Sequence, residues 1–141
     1  MEFIDFALRN RVLFSLALVL IGLLIGTEVY QRLLGVKSLG PAEATRLINH
    51  QDAVPLDVRD TADYRNGHLP QAQHVPMGEL KNRLKELNRY RGKPLLVYCR
   101  TGNQSAAAGR VLQKQGFEQV YSLRGGLTAW QDANLPLSKK K

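Results

Sequence analysis

One cysteine, one tryptophan and two methionines are all that this chain of 141 residues contains. A lone cysteine excludes a disulfide within the chain and suits a reducing compartment. Cys99, His68 and His74 are too few and too loosely spaced for a zinc site, so both histidines read as hydrogen-bonded structural residues and no metal is expected. Acidic residues are also scarce, 12 against 20 Lys and Arg, and most of the resulting +8 charge lies beyond residue 40. No aromatic or fold signature of nucleic-acid binding accompanies that charge, which excludes a nucleic-acid partner from the reading. Internal repeats and low-complexity segments are absent. The length is too short for two ordinary domains and ample for one core.

What is present centres on Cys99. The run Leu95-Leu96-Val97-Tyr98 reads as a buried strand ending at the cysteine, and residues 105–115 read as a helix closed by Gly116. A strand, a glycine-containing loop and a helix in that order aim backbone N–H groups and the positive end of a helix dipole at the sulfur. Both favour thiolate over thiol. Cysteines in such places have pKa values lowered from about 8.5 to between roughly 3.5 and 7.5, and the thiolate is the nucleophile. A buried structural cysteine is the alternative, and the loop context favours the nucleophile.

From Pro41 onward, apolar strands alternate with helical patterns, which predicts an α/β fold with a mainly parallel central sheet flanked by helices. Strands are expected at 54–58 and 120–123. Gly40-Pro41 followed by Glu43 marks a helix start. A further helix is expected over about 77–90, with Leu80, Leu84 and Leu87 on one stripe. Gly125-Gly126 predicts a tight turn into a last helix whose backbone comes close to the Cys99 loop. Trp130 reads as a core aromatic packed on that loop. Asp57 and Arg59 either touch substrate or form a structural ion pair beneath the loop, and the ion pair is the reading taken.

Three separated motifs then resemble a known family. Leu56-Asp57-Val58-Arg59-Asp60, with Asp63-Tyr64 and Gly67-His68-Leu69-Pro70-Gln71-Ala72, is similar to the opening signature of single-domain rhodaneses, which are sulfurtransferases. The Cys99 loop and Leu123-Arg124-Gly125-Gly126-Leu127-Thr128-Ala129-Trp130 follow in the family's order. The resemblance covers roughly residues 41–136. It implies transfer of sulfane sulfur from a donor such as thiosulfate or a persulfide to a thiol or cyanide acceptor through a Cys99 persulfide, without a cofactor. It also implies that Arg100, Thr101, Gly102, Asn103, Gln104 and Ser105 form the substrate-binding loop, with Asp57 and Arg59 in support. Arg100 is the cation expected to draw in an anionic donor. Gln104 departs from the basic residue common at that place. Related phosphatases carry an arginine six positions after the cysteine; here that position is Ser105, which argues against phosphoryl transfer.

The first forty residues have a separate character. Residues 12–27 are uncharged and mostly Leu, Ile and Val, and the apolar character runs past Glu28 to Tyr30. A membrane span needs about 20 such residues. A secretory signal and a buried soluble helix are the alternatives; the lack of an alanine-type cleavage site and the dilution of the start by Glu2 and Asp5 favour an uncleaved anchor. The chain thus divides into a flank at 1–11, a transmembrane anchor at 12–30, a linker at 31–40, the catalytic domain at 41–137 and a basic tail at 138–141. Arg9 and Arg11 on one side nearly balance Arg32 and Lys37 on the other, so the positive-inside rule barely chooses an orientation. The solitary cysteine favours a cytoplasmic domain. The basic residues Lys81, Arg83, Lys85, Arg89, Arg91 and Lys93 fit either an anionic leaflet or an ordinary solvated face. The overall plan resembles the YibN-type membrane-anchored rhodanese-like proteins of Gram-negative bacteria, which implies an inner-membrane location. It also implies a rival role as an interaction module near the protein-insertion machinery. Gly22 and Gly26 offer a small-residue face for a partner helix or a second copy.

Overall fold

A computed structural model describes residues 1–139, without the side chains of residues 31–34; Lys140 and Lys141 of the basic tail lie outside the described residues. The chain divides into two units, Met1–Gly35 and the part from Val36 onward. The first holds helices α1 (Glu2–Arg9) and α2 (Arg11–Leu34), with Asn10 between them. Phe3 and Phe6 of α1 each meet Phe14 edge-on at 6.1 Å. Helix α2 is apolar and long enough over Arg11–Tyr30 to cross a bilayer. Twenty residues rising about 1.5 Å each match a hydrocarbon core of about 30 Å. Its Leu, Ile and Val side chains from Val12 to Val29 are exposed.

The second unit is a five-stranded sheet in the order β1-β5-β4-β2-β3, every neighbouring pair parallel. Its strands are β1 (Lys37–Leu39), β2 (Val54–Asp57), β3 (Gln73–His74), β4 (Leu95–Tyr98) and β5 (Val120–Leu123). The helices are α3 (Pro41–Gln51), α4 (Thr61–Asn66), α5 (Asn103–Lys114) and α6 (Gly126–Asp132). Because side chains alternate along a strand, the sheet has two apolar faces. Leu56, Leu95, Val97 and Val120 pack with Ala108 and Leu112 of α5 on one. Leu96, Tyr98 and Leu123 pack with Ala44 of α3, Tyr64 of α4, and Leu127 and Trp130 of α6 on the other. Both strands β2 and β4 are buried at every position, which explains the unbroken apolar run of β4 and the apolar Val54 to Leu56 of β2.

Two elements differ from the sequence expectations. The segment 77–90 forms two 3-10 helices, Met77–Asn82 and Leu84–Tyr90, broken at Arg83. Met77 and Leu80, and then Leu84 and Leu87, are each three apart, a spacing that three residues per turn serves as well as 3.6. Arg83 joins the two turns by ion pairs to Glu79 at 2.8 Å and Glu86 at 2.6 Å. The connector expected at 31–40 contains β1, whose Lys37 and Ser38 are exposed and whose Leu39 is buried. A three-residue strand with one apolar position carries almost no alternation to read.

Beneath the sheet's carboxyl end lies a buried ionic knot. Asp57, at the end of β2, accepts from the Arg59 backbone N at 2.8 Å and from the Arg59 guanidinium at 2.7 to 3.1 Å. Arg59 also donates to the carbonyl of Gly67 at 2.6 Å. The Tyr98 hydroxyl donates to Asp57 at 2.8 Å and accepts from the amide of Leu69 at 3.1 Å. Asp57 is fully buried and Arg59 is 6% exposed. Every polar group in the knot is paired, as such burial demands. Tyr98→Phe removes one donor to the carboxylate and the acceptor for Leu69. It is expected to lower stability by about 2 kcal/mol, seen as a lower urea midpoint with an unchanged slope.

Candidate active site

Strands β2 and β4 are neighbours, but the helices that follow them, α4 and α5, pack on opposite faces of the sheet. A crevice therefore opens outside their carboxyl ends, the usual place for a ligand in an open α/β sheet. Here it is a cleft of about 480 Å³. Its wall after β2 carries Arg59 and Asp60, Pro76 and Met77 contribute from the start of the first 3-10 helix, and Cys99, Arg100, Thr101, Asn103 and Gln104 supply the floor and rim.

Cys99 directly follows β4, and its residue is 3% exposed. The backbone N of Gly102 donates to Cys99 Sγ at 3.0 Å. Gly102 holds φ +101, a left-handed conformation that lets the loop curl round the sulfur into α5. Burial pushes the Cys99 thiol up, but hydrogen bonds from the amides of Ser105, Gln104 and Gly102 and from the Ser105 hydroxyl outweigh it. The net result is a thiol more acidic than usual.

The loop's carbonyl groups are held elsewhere. Leu127 N donates to the Cys99 carbonyl at 2.9 Å, and Thr128 donates to the Arg100 carbonyl through its N at 3.1 Å and its Oγ1 at 3.2 Å. With the carbonyls engaged by the first turn of α6, the N–H side of the loop faces the sulfur. This requires close backbone approach. A Cβ on Gly126, at φ +57, would collide with the backbone of Cys99 and Arg100. The turn expected at Gly125-Gly126 and its approach to the loop are both present.

Ser105 is buried, with Oγ 3.1 Å from the Gly102 carbonyl and 2.7 Å from Ser122 Oγ. Ser122 lies on β5, on the α5 side of the sheet, and is a site residue that sequence reasoning missed. A polar residue between Tyr121 and Leu123 was the available signal. Asp63 was missed as well: it pairs with Arg100 at 3.1 Å across 37 residues of sequence.

The remaining expected residues are distributed unevenly. Arg100 is at the rim, its side chain 68% exposed and paired with Asp63 rather than free. Thr101, Asn103 and Gln104 are exposed along the same cleft. Asp57 and Arg59 form the ion pair described above, and Arg59 also borders the cleft. His68 and His74 stack on the two sides of Tyr64, at 4.0 and 4.4 Å. A ring nitrogen of His68 bonds the Tyr64 carbonyl, and one of His74 bonds the Arg59 carbonyl, each at 2.8 Å. Among the described residues no three of His, Cys, Asp and Glu gather round a common point. Trp130 is a core residue, but it packs on the α3, α4 and α6 side of the sheet and donates to the Pro136 carbonyl at 2.9 Å. The loop is held by the backbone one turn earlier, at Leu127 and Thr128.

Comparison with known proteins places this geometry. The model of the rhodanese-like domain matches residues 40–133. The uncharacterised protein YibN of Escherichia coli K12 is 39% identical over 107 residues, 75% of each chain. Thiosulfate sulfurtransferase GlpE of Coxiella burnetii is 37% identical over 95 residues, 67% of this chain and 87% of its own. The crystal structure of a rhodanese-related protein from Thermoplasma volcanium superimposes with a TM-score of 0.67 at 28% identity, over 74% of this chain and 99% of the other. The matched residues take in strands β2 to β5, the Cys99 loop and the turn of α6 that holds it, and on that ground the chain belongs to the rhodanese-like family.

Proposed function

We propose that this protein is a membrane-anchored sulfurtransferase that carries sulfane sulfur as a persulfide on Cys99. The observation that supports this most is the convergence of loop amides on one acidified sulfur at the floor of an open cleft. With thiosulfate as donor, the Cys99 thiolate attacks the outer sulfur. A Sγ–S bond forms, the S–S bond of the donor breaks with its electron pair, and sulfite leaves. A thiol or cyanide acceptor then attacks the terminal sulfur and returns the thiolate. No cofactor or metal enters either step. The amides of Gly102, Gln104 and Ser105 are aimed where negative charge resides before and after transfer, which is the placement that stabilises a charged sulfur. Arg100, Thr101 and Asn103 bound the space a donor would occupy.

The anchor is assigned to residues 12–30 and the catalytic domain to 41–137, in the inner membrane of a bacterium with the domain in the cytoplasm. Support comes from the apolar length of α2 and the likeness to YibN. The competing role, a membrane-bound interaction module with little or no catalysis, is supported by the open surface at Gly22 and Gly26, where an added Cβ would meet nothing within this chain. Two anchors, or an anchor and a partner helix, would pack there.

Intact-mass measurement after incubation with thiosulfate or a persulfide is expected to show a one-sulfur adduct that cyanide discharges. Cys99→Ser should show none while keeping the same thermal midpoint. An adduct on that variant would remove the mechanism, and none on the wild-type protein would favour the interaction module. Because the folded thiol is more acidic than a free one, its alkylation rate should rise with pH around a midpoint below about 8.5. Ser105→Ala removes a hydroxyl that favours the charged form, so the midpoint should move upward. In alkaline carbonate extraction, the full-length chain should stay with the membrane pellet, and a chain beginning at Val36 should be soluble.

A further inference from the structure

We propose that the preferred donor is an organic persulfide, its transferable sulfur borne on an alkyl thiol, rather than an inorganic dianion such as thiosulfate. This rests on the Cys99 persulfide reading and narrows its substrate class.

Among the described residues two guanidinium groups border the cleft, and both are committed. Arg59 is held by Asp57 at 2.7 Å and by the Gly67 carbonyl at 2.6 Å, and it is buried. Arg100 is held by Asp63 at 3.1 Å. Asp60 stands on the same wall, accepting from the Asp63 amide at 2.9 Å. Gln104, at the loop's outer rim, adds no charge. Counting the buried Asp57 with Asp60 and Asp63 on the cleft wall, three carboxylates are set against these two guanidinium groups before the thiolate is counted. The loop amides do not reverse this balance, because they are aimed at Cys99 Sγ itself.

An exposed pair such as Arg100–Asp63 is worth only about 0.2–1 kcal/mol, so a donor can break it. Doing so, however, leaves the Asp63 carboxylate unpaired beside an arriving dianion. An alkyl persulfide lessens that conflict. Its sulfur brings at most one negative charge where thiosulfate brings two, and half-buried Pro76 and Met77 give its stem an apolar surface in the same cleft. The Cys99 thiolate attacks the terminal sulfur of R–S–SH. A Sγ–S bond forms, the R–S to S bond breaks with its electron pair on R–S⁻, and that thiolate takes a proton from solvent. The sulfane sulfur keeps its oxidation level, so no oxidant or reductant is needed.

Salt dependence reads the sign of the local charge, since the cleft lies within one Debye length of the donor. The test uses the full-length protein in a neutral detergent, with rates of Cys99 adduct formation taken by intact mass. Thiosulfate and cysteine persulfide are the donors, with ionic strength varied from about 20 to 200 mM. The rate constant for cysteine persulfide should exceed that for thiosulfate at least tenfold. The thiosulfate rate should rise two- to threefold with salt, as expected when repulsion is screened. Asp63→Asn frees Arg100 and Gln104→Arg adds a cation; each should narrow the gap between donors about tenfold and turn the thiosulfate salt dependence downward. Thiosulfate reacting faster than the persulfide, or slowing with salt on the wild-type protein, would overturn the donor assignment and leave the Cys99 carrier in place. No adduct from either donor would overturn the carrier and the donor assignment together.

Discussion

A carboxylate with no exposure to water sits at the end of β2, and the position of the Cys99 loop depends on how it is satisfied. Burying Asp57 alone would cost several kcal/mol, and its partners recover that cost only because the geometry is closed on all sides. The Arg59 fork grips it from the same strand end, Tyr98 reaches it from β4, and Arg59 and Tyr98 in turn fix Gly67 and Leu69. Burial pushes the Tyr98 hydroxyl's pKa up, keeping it a donor at any ordinary pH. Tyr98 immediately precedes Cys99, so the hydroxyl that completes the bonding of Asp57 comes from the residue at which β4 ends and the loop begins. The specificity here comes from polar groups, while the apolar clusters on either side of the sheet supply bulk stability.

Above the knot, the loop separates its two kinds of backbone group. Amides are gathered round Cys99 Sγ, and carbonyls are handed to the first turn of α6. Either half alone would fail. Free carbonyls near the sulfur would repel a thiolate, and amides without a fixed loop would lose their aim. Gly126 is the hinge of this arrangement, since no side chain fits between the two backbones.

Much of this was legible in the sequence. The run Leu95 to Tyr98 is buried at every position, and such a run followed by a glycine loop and a helix has few other readings. Proline after glycine placed the start of α3, and paired glycines placed the approach of α6 to the loop. What escaped was non-local or periodically ambiguous. Asp63 meets Arg100, and Ser122 meets Ser105, only after the chain has crossed the sheet. Nothing in the local pattern of Arg100 foretells a partner, so it read as a free cation. The 3-10 segments share their three-residue spacing with an α-helix, and β1 is too short to show alternation. Trp130 was assigned to the core but to the wrong neighbours, because one turn of a short helix separates the residues that hold the loop from those that face the sheet.

The two outer strands, β1 and β3, are three and two residues long. Exposed strand edges are templates on which other chains can add, and the hazard grows when molecules are confined to a surface. With so few unpaired backbone groups at either margin, this sheet offers a poor seed for growth in either direction. Copies of this domain brought close together would thereby resist adding edge to edge into fibrils.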